Sequence, residues 1–128
     1  MNLSSRSLSK QSNAFDLTEV IVDAIKDIKG KKIVKLSLNQ LDDAPADFFI
    51  VCEGDSNTQV KAIADNIHKR VKDETGLLPN HTEGMNHARW ILVDYFSTVV
   101  HIFYPETRRF YDLEDLWSDA EYTYYESL

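Results

Sequence analysis

An α/β domain, with a mixed β-sheet layered with α-helices, is the fold class the sequence predicts. Two observations predict it. Apolar residues switch from helical spacing to strict alternation and back along the chain. The resulting elements run helix, two strands, helix, then three strand-like runs with short helices. The 128 residues suit one domain, which buries roughly two thirds of the surface its unfolded chain exposes. Hydrophobic residues at 43% and charged residues at 27% sit near globular averages, which argues against a disordered or fibrous chain.

Residues 1–15 (MNLSSRSLSKQSNAF) are Ser-rich, lack an apolar period and are expected to be mobile. Asp16 with Glu19 forms a capping-box-like start, and Phe15 with Val20 a hydrophobic staple. Leu17, Val20, Ile21, Ala24, Ile25 and Ile28 then follow helical spacing, and the helix ends near Gly30. From Lys32 to Leu38 the period becomes two, which describes a strand with one face covered. After the loop LDDAPAD, Phe48–Cys52 is apolar at every position and reads as a central strand buried on both faces. Ser56 is the expected N-cap of a second helix, with Gln59 completing the box, an apolar stripe of Val60, Ile63, Ala64, Ile67 and Val71, and Gly76 as its end. Pro79–Gly84 has no clear type. Pro105 opens a helical turn, and Asp112 is expected to cap a last short helix around Leu113, Leu116 and Trp117. Residues 112–128 hold six acids and no base, and 121–128, with Tyr122, Tyr124 and Tyr125, is expected to be a solvated acidic-aromatic tail.

Ala88–Tyr95 and Thr98–Tyr104 read as a hairpin joined by Phe96-Ser97. A two-residue turn sets Trp90 opposite Phe103, Leu92 opposite His101 and Asp94 opposite Val99. Ile91, Val93, Tyr95, Thr98, Val100 and Ile102 then share a core face. The other face mixes Trp90, Leu92, Val99 and Phe103 with Asp94 and His101. It is either an interaction surface, with aromatic anchors and a few directional groups, or a second core layer in which Asp94 and His101 bond each other or the backbone.

Charge narrows the partners. Fourteen bases against 21 acids leave a formal charge of −7, and residues 1–15 carry two of the bases and none of the acids. Direct binding to a nucleic-acid backbone is disfavoured, while a basic protein surface suits the chain. One cysteine, Cys52, excludes an internal disulfide framework and a Cys-based zinc site. No apolar run approaches the ~20 residues of a membrane span. The first residues lack the centre of a secretory signal, and a loose start to a cytoplasmic protein is preferred over an organelle transit peptide.

Catalytic and cofactor motifs are weak. His68, His81, His87 and His101 form no HxxxH or HExxH pair and read as surface or backbone-bonded. A strand leading through Gly54-Asp55-Ser56 into a helix is how nucleotidyltransferases begin, but their paired carboxylates are missing, since the later strands offer Asp94 alone. A nucleotide-handling enzyme therefore stands as the alternative from another class. No cofactor or metal is expected.

Five blocks carry a family resemblance: DFFIVCEGDSNTQVKAIADNI (47–67), HTEG (81–84), RWILVDY (89–95), VVHIF (99–103) and FYDLEDLW (110–117). In that order they resemble the Iojap family, whose bacterial members are called ribosomal silencing factors, over about residues 16–120. The resemblance implies an α/β fold distantly similar to nucleotidyltransferases without their catalytic acids. It implies a factor that binds the large ribosomal subunit through the ribosomal protein uL-fourteen, bars the small subunit and lowers translation when nutrients are scarce, with no reaction catalysed. Self-association as a homodimer is also implied, and a role in large-subunit assembly is an alternative with the same surface. The family's characteristic Trp, Asp and His positions correspond to Trp90, Asp94 and His101, with Leu92 and Phe103 as expected apolar anchors beside them. Within the C-terminal block, Leu113 and Leu116 are assigned to packing, while Tyr111 and Trp117 stand between packing and contact. Two departures stand out: Phe96 takes the turn position where the family usually has Gly, and Glu53 and Asp55 add charge around Gly54.

Overall fold

A computed structural model describes residues 7–125 of the chain, with side chains from residue 17 onward. Helix α1 spans Ser7–Asp27. It begins ahead of the start expected at Asp16, so most of the segment expected to be mobile has helical backbone; residues 1–6 lie outside the described residues. Ser7–Phe15 contains no Gly or Pro to stop a helix. The Asp16 box and the Phe15 staple involve side chains outside the described ones. Lys29 then takes a left-handed φ of 65° and reverses the chain. Gly30 follows with no room for a side chain, because a Cβ there would lie 2.2 Å from Ile25 Cγ2.

Strand β1 (Lys31–Ser37) pairs antiparallel with β2 (Phe48–Glu53) across a bulge between Lys31 and Val34. Helix α2 (Asn57–Thr75) starts as its sequence predicts. Ser56 Oγ accepts from Gln59 N at 3.1 Å, and Gln59 Oε1 accepts from Asp55 N at 2.6 Å. The same Gln59 donates Nε2 to Ile28 O at 2.9 Å, so one side chain caps α2 and ties it to the end of α1. Beyond Gly76, Pro79–Gly84 resolves into a short edge strand, β3 (His81–Glu83). The hairpin follows as β4 (Trp90–Asp94) and β5 (Thr98–Phe103), in the register expected. Helices α3 (Pro105–Tyr111) and α4 (Leu113–Leu116) lead into β6 (Glu121–Tyr125).

The six strands lie in the order β3-β4-β5-β2-β1-β6, parallel between β2 and β5 and antiparallel elsewhere. The mixed α/β architecture is thus the one expected. Helices α1 and α2 cover one face, packing on Ile50, Cys52, Ile91, Val93, Val100 and Ile102. Short α3 and α4 and the loop before β2 partly cover the other face, over Val34, Leu36, Phe49, Val51 and Phe103.

Two expectations are corrected at the C-terminal end. Residues 121–125 are not a solvated tail, because β6 pairs with β1 through Ile33↔Tyr125 and Leu36↔Tyr122; residues 126–128 lie outside the described ones. Tyr125 reaches the helix-covered core, and Tyr122 donates its hydroxyl to the carbonyls of Glu114 and Trp117 on the other face. Asp112 makes no side-chain cap for α4. It adopts a left-handed φ of 48° and closes α3, its N–H bonding Arg108 O.

The hairpin turn carries strain. Phe96 sits at φ 70°, with Ser97 N donating to Tyr95 O at 2.9 Å, the hydrogen bond of a γ-turn. Phe96 is 70% exposed, so its ring recovers little by burial. Phe96→Gly removes the left-handed penalty of a side-chain-bearing residue and should stabilise the domain by about 1 kcal/mol in urea unfolding. An unchanged or lower midpoint would contradict that account.

Candidate partner-binding face

The second face of the sheet gathers most of the residues singled out from sequence, but it sorts them by strand. On β4, next to the short edge strand, Trp90, Leu92 and Asp94 are half-buried. On β5, flanked by β4 and β2, His101 is 4% and Phe103 0% exposed. His101 and Phe103 are therefore not surface contacts as expected, because rings from both neighbouring strands roof them. The β5 half is the second core layer posed for this face, while the β4 half stays half-buried.

Trp90 is the hinge between the two halves. Its Nε1 donates to His101 Nδ1 at 3.1 Å. Its ring stacks on Phe103 at 5.0 Å and meets Tyr111 at 4.8 Å. Below it, Phe49 meets His101 edge-on at 4.6 Å, and Trp117 meets Phe49 at 5.9 Å. One continuous aromatic run thus joins Tyr111, Trp90, Phe103, His101, Phe49 and Trp117. Phe49 was missed because a strand that is apolar throughout gives no sign of which face each residue takes.

Asp94 does not bond His101. Its Oδ1 accepts from Phe96 N at 2.7 Å, and its Oδ2 lies 3.6 Å from Nδ1 of His81, whose Nε2 is 3.0 Å from Glu83. With its side chain 21% exposed, Asp94 fixes the turn and still presents an oxygen at the edge.

Arg108 holds α3 and α4 in place. This guanidinium, with its side chain 10% exposed, donates Nη1 to Glu53 Oε1 at 3.1 Å and to Lys32 O at 2.8 Å. Its Nη2 reaches Glu114 Oε2 at 2.6 Å. Glu53, expected only to add charge near a helix N-terminus, is instead a buried ion partner. Leu113 packs as expected, at 9% exposure. Leu116 does not: it is 70% exposed, and Tyr111 and Phe110 are 51% and 80% exposed. The two leucines stand three residues apart on α4, yet only Leu113 is covered. Beside Trp90, an open groove of about 850 Å³ is lined by His87, Arg89, Arg109, Phe110 and Tyr111. On the far side, Leu116 and Trp117 adjoin Asp42 and Asp119. The face therefore has apolar rings at its centre and a charged rim, with Arg89 and Arg109 beside Trp90 and Asp42, Asp94 and Asp119 elsewhere, a composition suited to docking a protein.

The strand–GDS–helix element offers less chemistry. Ser56 is occupied as a cap, and Asp55 pairs with Lys31 at 2.6 Å. Among the described residues no group of three or more His, Cys, Asp or Glu could hold a metal, and no helix is long and apolar enough to cross a membrane. The Cys52 thiol is buried, and burial pushes its pKa up to about 12.

Comparison with known proteins assigns the chain's relatives. A family model described as "Ribosomal silencing factor during starvation" matches residues 10–128. The chain is 40% identical over 105 residues to the ribosomal silencing factor RsfS of Halalkalibacterium halodurans, covering 82% of this chain and 88% of that one. It is 32% identical over 74 residues to a mouse protein named mitochondrial assembly of ribosomal large subunit protein 1, covering 56% of this chain and 32% of that one. A crystal structure of a Chromobacterium violaceum protein superposes with a TM-score of 0.76 at 37% identity, covering 80% of this chain and 84% of that one.

Burial drives the pKa of His101 down to about 4, so the ring is neutral under ordinary conditions. The unfolded chain, with an ordinary imidazole near 6.5, binds the proton first as pH falls. Stability from this site is thus full above about pH 6.5 and drops by about 3 kcal/mol as pH approaches 4. His101→Phe should remove that part of the pH dependence in urea unfolding at pH 7 and pH 5. Parallel pH profiles for the two proteins would refute it.

Proposed function

The chain belongs to the RsfS family of ribosomal silencing factors, and from that premise we propose that it binds the large ribosomal subunit and keeps the small subunit from joining. The partner on that subunit is the basic ribosomal protein uL-fourteen, and translation falls when the factor is bound. The half-buried aromatic face with its exposed rings is the observation that carries this reading. Trp90, Leu92, Tyr111 and Trp117 serve as apolar anchors, with Leu116 added by its exposure. Asp94 supplies a directional carboxylate. His101 and Phe103 support the anchors from beneath. A formal charge of −7 favours a cationic protein surface over an RNA backbone.

Occlusion requires no chemical step, only a rigid body held in place. A standard interface of ~800 Å² per partner takes about a tenth of the 7361 Å² this chain exposes, leaving the remainder as a steric barrier. The same reading places the factor in the cytoplasm and includes self-association as a homodimer. A second reading, assistance in large-subunit assembly, is favoured by the name of the mouse relative and uses the same face.

Sedimentation with purified large subunits tests the reading, followed by addition of small subunits. The factor should travel with large subunits and reduce joining; if it does neither, the reading fails. Leu116→Arg alters an exposed side chain and should shift stability by no more than about 0.5 kcal/mol, while Tyr111→Ala also loses the ring contact with Trp90 and should cost about 1 kcal/mol. Each should weaken large-subunit binding by about ten-fold. Wild-type affinity in both variants would remove this face from the interface.

A further inference from the structure

We infer that His101 is a positioning residue for the docking face: its Nδ1 accepts the indole N–H of Trp90, fixing the ring and occupying its only hydrogen-bond donor. The inference rests on the reading that this face docks. An indole nitrogen can only donate, so Nδ1 of His101 is bare and the proton sits on Nε2. Nε2 is itself buried without a hydrogen-bond partner. An imidazole retained at 4% exposure with one nitrogen unsatisfied is a poor core residue compared with Phe or Leu. What it adds is the bond to Trp90.

The surroundings explain why that bond matters. Phe103 underlies the indole at 5.0 Å with 30° between the planes, and Tyr111 lies at 4.8 Å. Ring packing of this kind sets the plane but tolerates sliding and in-plane rotation. A bond from Nε1 to a side chain on the rigid central strand removes that freedom. A consequence for specificity follows. The partner meets a ring with no free N–H, so Trp90 recognises aliphatic or cationic groups by ring contact, not a hydrogen-bond acceptor.

Two substitutions separate positioning from packing. His101→Phe keeps the volume and loses the acceptor. His101→Asn loses volume but places Oδ1 where Nδ1 stood. Melting temperature, solvent exchange of the Trp90 indole N–H by NMR, and affinity for purified large subunits are compared. For His101→Phe we expect faster indole exchange and about ten-fold weaker binding. For His101→Asn we expect the lower melting temperature but near wild-type exchange and affinity. Unchanged exchange and affinity in His101→Phe overturns the inference. So does an affinity order that follows melting temperature, with Asn weaker than Phe. If the wild type fails to bind large subunits, the docking reading falls, and indole exchange in the isolated protein still decides the positioning role.

Discussion

The buried guanidinium of Arg108 is the constraint on which the second face depends. One side of the sheet is secured by two long helices, whose apolar stripes would hold in almost any solvent-shielded arrangement. The other side has only a seven-residue helix and a single turn to cover it. Such pieces are too short to be stable alone and must be fastened. Arg108 fastens them at three points: the end of β2 through Glu53, the bulge of β1 through the Lys32 carbonyl, and α4 through Glu114. Burying Arg108 and Glu53, with Glu114 partly covered, is costly, and an apolar cluster of equal volume is often as stable. An apolar cluster would not fix direction. The fork of a guanidinium does, and direction is what places Tyr111 and Trp117 at the two ends of the aromatic run.

From that anchoring follows the unusual character of the face. It is neither a finished core nor an open surface. Rings on the central strands are sealed, while those on the margin remain half-covered, and Leu116 and Phe110 stand out in solvent. Large apolar groups left together in water mark a place where something else completes the packing. The acids of the chain as a whole, a formal −7, bias what that is. The same acids that disfavour a phosphate backbone lower the free energy of a cationic partner, and they do so most during approach.

Much of the fold was legible because its periods are clean. The stripe from Val60 to Val71 and the alternation from Trp90 to Phe103 each point to one answer, and the hairpin register followed from counting a two-residue turn. Legibility failed where a residue's role depends on a distant partner. Arg108 looks like an ordinary base in a polar helix, and only a sheet end 55 residues earlier makes it a clamp. Glu121–Tyr125 does alternate, but its acids and tyrosines resemble a solvated tail until β1 supplies an edge to pair with. His101 and Trp90 were correctly placed opposite one pair apart, yet a face assignment cannot say which strand ends up central. That is decided by the parallel pairing of β5 with β2, a long-range contact that leaves no local mark.

Left-handed φ values recur along the chain, at Lys29, Lys32, Asp43 and Asp112 among others, but several strained or unsatisfied groups share one hairpin. Phe96 with its positive φ, Asp94 bound to the turn, and His101 with its unpaired nitrogen all lie along the hairpin that carries Trp90. Departures from local optimum are tolerated where the surrounding structure over-determines them. Here the strong core on the opposite face supplies that surplus. The molecule therefore divides its labour across the thickness of one sheet: the helix-covered side provides stability, and the other side uses it to hold an indole, a carboxylate and a set of exposed rings in fixed relation. On the proposed reading, in which the protein acts by occupying space, that fixed relation matters more than an optimal turn. Slack in the docking face would be lost as ordering entropy at each encounter.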